Sequence, residues 1–151
     1  MKYILEVVHQ TMMKLSFEYN WDKSIFENAY RQILKNNFKF EIESQKKYSR
    51  DKKTQAGLLI TKTEMITSIF INSIRDGIVT QVKLLDKKNW WTFDSSNKFC
   101  KYSKWFDNDK FGIYYKQKNW KVWYSFDAKH VIFEKDGVQS IDNNISEVFT
   151  F

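Results

Sequence analysis

The chain has 151 residues, is 42% hydrophobic and 18% aromatic, and carries a formal charge of +7. That length suits one domain with a substantial core, and the apolar content excludes wholesale disorder. A single cysteine excludes an internal disulfide, and with only two histidines beside it no Cys/His metal site of usual spacing exists.

Proline is absent, glycine occurs four times, and three arginines stand against twenty-two lysines. This is the codon usage of an AT-rich genome, such as a low-GC bacterium or its phage, and it bears on origin rather than function. Residues 1–10 hold a short apolar run broken by Glu6 and His9, with no small-residue cleavage site after it. No leader and no membrane span are therefore expected, and with a lone Cys100 the expectation is a reducing cytoplasm.

In chain order, Leu5, Val8, Met12 and Leu15 are spaced three and four apart, which predicts a helix over residues 2–17, with a strand over 2–8 as the competitor. Ser24 and Glu27 form a capping box, followed by a helical stripe of Phe26, Tyr30, Ile33 and Leu34 that ends near Asn36 and Asn37. Phe38, Phe40 and Ile42 alternate with charged residues, as in a half-buried strand. A basic loop follows, in which Lys46, Lys47, Arg50, Lys52 and Lys53 are offset only by Asp51. Residues 57–61 suit a short strand. Met65, Ile66, Ile69, Phe70, Ser73 and Ile74 then recur at helical spacing, with Gly77 placed as a cap.

From residue 78 onward short alternating segments succeed one another, over 78–85, 90–94, 99–106, 111–116, 120–126 and 130–135. Asp136-Gly137 is a two-residue hairpin signal, and connections this short join antiparallel neighbours. The expected fold is α+β in a single domain. Two or three helices from the N-terminal half would pack on an antiparallel meander formed mainly by residues 78–141.

Residues 111–126 hold seven aromatic residues with three lysines among them. As strands, Phe111, Ile113 and Tyr115 share one face, as do Trp120, Val122, Tyr124 and Phe126, and a buried sheet face absorbs these rings. Tyr114, Lys116, Lys121 and Trp123 remain for the other face. Two rings and two lysines there would make a stacking platform for single-stranded nucleic acid if the face were open. Rings on both faces favour instead a sheet covered on both sides.

Signs of catalysis are thin. His9-Gln10-Thr11 resembles one half of the paired signature of two-histidine phosphoesterases, but His130-Val131-Ile132 supplies no second half. Asp76 with Asp86, Lys87 and Lys88 fits the loose spacing of a metal-dependent nuclease, yet reads better as a helix end and a hairpin turn. Asp107-Asn108-Asp109 opens like a calcium loop that no glutamate closes, so a turn is expected. Cys100 lies between Phe99 and Tyr102, where a buried and inert thiol is expected.

The weight of the sequence is against an enzyme, and no cofactor or metal is expected. The leading expectation is a small binding protein that contacts nucleic acid, or a complex that processes it, through Lys46, Lys47, Arg50, Lys52, Lys53, Tyr114, Lys116, Lys121 and Trp123. Lysine in place of arginine favours phosphate contact over base reading. The alternatives are a phage- or plasmid-type protein-binding inhibitor or accessory factor, which the acidic last thirty residues suit better, and then the nuclease. Oligomeric state has no signature in the sequence.

Overall fold

The computed structural model describes residues 2–87 and 93–141, and the chain falls into two compact units, residues 1–40 and 41–151. The class is α+β, as the alternation of patterns implied.

The first unit is a helical hairpin of α1 (Lys2–Glu18) and α2 (Lys23–Lys35). Tyr30 of α2 donates its hydroxyl to Glu6 Oε2 at 2.6 Å and stacks on His9 at 4.2 Å, so α1 meets α2 along the side of Glu6 and His9. Val8, expected on the buried stripe, is 52% exposed for that reason. The helix start also differs from expectation. Asp22 is the cap of α2, its carboxylate accepting from Ser24 N at 2.9 Å, and Ser24 lies within the first turn. A carboxylate there satisfies a backbone amide and faces the positive end of the helix.

The second unit contains two five-stranded antiparallel sheets. The first joins β1 (Phe40–Glu43), β3 (Thr54–Lys62), β4 (Thr67–Arg75) and β5 (Ile78–Lys87), with β2 (Lys47–Tyr48) also on β3. The second is a meander of β6 (Ser103–Trp105), β7 (Lys110–Tyr115), β8 (Trp120–Ser125), β9 (His130–Lys135) and β10 (Val138–Ile141). Between the sheets in sequence runs α3 (Phe93–Tyr102). One core unites Leu58, Ile60, Ile69 and Ile71 of the first sheet, Phe99 of α3, and Phe111, Ile113, Val122 and Phe133 of the second.

Three expectations are corrected here. Residues 67–75 are a strand, not a helix, and Gly77 is the second residue of a hairpin turn with Asp76, at φ 77° and 51°. The sheet thus begins at residue 40 and not near 78. Of the strand expected over 90–94, residues 90–92 lie outside the described residues and Phe93 opens α3. Only residues 103–105 of the expected strand 99–106 pair, the rest of its length being mostly the end of α3. The remaining strands stand as expected, with the Asp136-Gly137 turn at φ 51° and 84°. The inward face of β8 is as expected for Trp120, Val122 and Tyr124, which are buried, whereas Phe126, expected with them, lies past the strand end and is half-buried.

Candidate nucleic-acid interface

The basic residues 46–53 run from the residue before β2 through β2 and the turn into β3. Ser49 and Asp51 build that turn. Ser49 donates its hydroxyl to Asp51 Oδ1 at 2.6 Å, and Lys53 N donates to the same oxygen at 3.2 Å. The Ser49 hydroxyl comes first in holding the Asp51 carboxyl below the usual range. Lys52 takes the positive φ, 60°, that closes the turn. Arg50, Lys52 and Lys53 are exposed as a result.

Lys46 and Lys47 have other partners. Lys46 is half-buried and lies 3.8 Å from Glu43. Lys47 donates from Nζ to the Ser103 carbonyl and, at 3.3 Å, to Ser103 Oγ, while its own carbonyl accepts from Trp105 Nε1 at 2.9 Å. Lys47 is therefore a bridge from β2 to β6 inside the second unit, not a surface cation. That bridge ties the strand leading into the basic turn to the α3–β6 junction, where Lys101 and Lys104 flank Ser103 and are exposed.

On the outer face of the meander, strand register places Tyr114 opposite Lys121, and Gly112 opposite both Lys104 and Trp123. The Tyr114 ring has the Lys104 ammonium 4.7 Å from its centroid and that of Lys121 at 5.6 Å. Lys121, expected to be exposed, is half-buried and bonds Glu134 at 2.6 Å; Glu134 also accepts from Gln139 at 2.9 Å. The Lys121 hydrogen bond is the main cause that holds the Glu134 carboxyl below its ordinary range. Trp123 is buried, 6% exposed, with Phe106 at 5.6 Å, and its Nε1 meets no acceptor among the described residues. Lys116 lies beyond the strand, exposed in a short 3₁₀ turn.

The expected pair of stacking rings is thus not on the surface: Trp123 is covered, and Tyr114 is half-buried between two ammonium groups. What this face offers is cation, chiefly Lys104. Sequence reasoning missed Lys104, although its position next to Trp105 in a strand would turn it outward whenever the tryptophan faces the core.

The sites weighed for catalysis do not converge. Asp76 stands at the turn before β5 and Asp86 near the far end of that strand, opposite Ser68. Ten residue steps, nearly all along the strand, separate them by roughly 30 Å. Asp86, expected in a turn, is ion-paired with Lys83 at 2.9 Å. Among the described residues no three His, Cys, Asp or Glu side chains are grouped to hold a metal. Asp107 and Asp109 build a turn, as expected. Asp107 Oδ1 accepts from Asp109 N and Lys110 N, both at 2.8 Å, and Asp109 ties that turn to Ser125 at 2.5 Å and Asp127 N at 2.7 Å. Burial pushes the Cys100 thiol up against the opposing pull of Lys47, which keeps it protonated and unreactive near neutrality.

No protein-family model, no curated protein and no solved structure matches this chain.

Proposed function

We propose that this is a non-catalytic binding protein whose second unit contacts the phosphate backbone of a nucleic acid through lysines. The observation that carries the reading is the bridge from Lys47 to Ser103, which links the segment bearing the exposed Arg50, Lys52 and Lys53 to the one bearing Lys101 and Lys104. Five exposed cations on two linked segments suit a polyanion. Base stacking is not part of the reading, because Trp123 is buried. Contact of this kind is sequence-independent and falls steeply with salt, since each neutralised phosphate releases counterions.

The test is binding of labelled duplex and single-stranded DNA and RNA across a salt series. Changing Arg50, Lys52, Lys53 and Lys104 together to Gln should flatten the salt slope by up to about three units. Lys47 is left intact, because its loss would disturb β2 and β6. Trp123→Phe should leave affinity unchanged. Absence of binding by the wild-type chain at low salt, or an unchanged slope in the quadruple variant, would sink this reading.

A second reading, a protein-binding accessory factor, is favoured by one observation in the first unit. Ile4, Val8 and Ile25 are more than half exposed on a short helical hairpin.

A further inference from the structure

The helical hairpin lacks a core of its own. Among its described residues only Ser16 is buried, and no apolar side chain is. Units near forty residues are stable only with disulfides, metals or association. The hairpin contains no cysteine, and the described residues contain no metal cluster.

Its surface shows what association would use. α1 meets α2 along the side of Glu6 and His9. Around the same helix, roughly 100° from the line of half-buried Leu5, His9 and Met12 and buried Ser16, runs a second seam, Ile4, Val8, Thr11 and Leu15, spaced four, three and four. Ile4 is 62% exposed and Val8 52%. On α2, Tyr30 and the half-buried Phe26 and Leu34 share the side that meets α1, while Ile25, Ala29 and Ile33 form a stripe roughly 100° away. Ile25 is 62% exposed and Ile33 38%. Both offsets have the same sense when each helix is viewed from its own start. Because the helices are antiparallel, both stripes then lie on one side of the hairpin.

In a four-helix bundle each helix touches two neighbours at about a right angle. Within the hairpin each helix has one neighbour and an apolar stripe turned toward the place of a second. The face that completes such a hairpin is another hairpin of the same shape. Charge agrees: the first forty residues hold six cations and four anions, a net +2, so the remaining 19 cations and 14 anions leave +5 to the second unit. Lys14 and Glu18 border the seam with opposite signs. Two copies can meet there without a block of like charge between them.

We infer that the hairpin of residues 1–40 is a self-association module, two copies of the chain joining these stripes into an intermolecular four-helix bundle. The test is the mass of the full chain by sedimentation across a concentration series. Wild type should reach twice the 18.3 kDa of one chain. Val8→Lys with Ile25→Lys should remain at the single-chain mass, with helical circular dichroism retained because both positions are exposed. A probe that leaves the face intact runs beside it. In a Cys100→Ser background, Thr11→Cys should cross-link two chains under mild oxidation, and Gln10→Cys, on a different side of α1, should not. A wild-type chain that stays at 18.3 kDa at every concentration overturns the inference, and flotation of that chain with lipid vesicles would assign the face to a membrane surface instead. Unchanged association in the double variant, or equal cross-linking from both cysteine positions, overturns it too.

Discussion

A methyl group on Gly112 would collide with the Val122 carbonyl oxygen and come within 2.5 Å of Trp123 Cα and 2.8 Å of its Cβ. These are atoms of the neighbouring strand, fixed by the β7–β8 ladder, so they cannot move aside cheaply. Gly112→Ala should therefore cost at least about 1–3 kcal/mol, as overpacking in a tight site does. Urea unfolding that matched wild type would refute this close approach. The same pair explains what was hard to read in the sequence. Trp123 alternates away from the core residues Val122 and Tyr124, which made it a candidate for the surface, yet it is buried. Nothing in its own neighbourhood of sequence announces Phe106, which lies seventeen positions earlier and covers it.

At the scale of the element, β4 is the instructive case. Its apolar residues include Ile69, Phe70 and Ile71 in an unbroken run, and such a run fits a buried strand as well as a helix. Two signals favoured the strand: the β-branched content of residues 67–74, and Asp76-Gly77, the same dipeptide that was read as a hairpin turn at Asp136-Gly137. Both pairs adopt positive φ at both residues. α2 offers a sharper test of local chemistry. Asp22→Ala should destabilise by about 1 kcal/mol, because it removes the acceptor for Ser24 N and a negative charge at the helix start. Ser24→Ala should cost only a few tenths, since its hydroxyl is not the cap. The reverse order in thermal melts would restore the serine as the cap.

For the whole molecule, pH tests the carboxylates that tie turns and strands together. Asp22, held down mainly by Ser24, Asp51, held down mainly by Ser49, and Glu134, held down mainly by Lys121, all titrate below their ordinary range in the folded chain. A depressed folded value means that the stabilisation is fully present above the unfolded value. It is lost as pH falls through the folded one. The urea midpoint should accordingly hold through mildly acidic conditions and decline below about pH 4. Glu134→Gln should reduce that decline. A midpoint that rises on acidification would contradict the assignment.

Periodicity, turn dipeptides and composition by themselves determined the α+β class, both N-terminal helices, strands β7, β8 and β9 of the second sheet and the inward face of β8. These depend on contacts close in sequence: helix repeats, alternation, and turns of two to four residues. Tertiary structure decided the rest. Lys47 and Ser103 are fifty-six residues apart, and their contact turns an expected phosphate ligand into a bridge between strands. Lys121 became part of an ion pair only because β9 brings Glu134 opposite it. The number of cations in a chain is a property of its sequence. Which of them face solvent depends on the partners that folding delivers, and neither composition nor spacing encodes those distances.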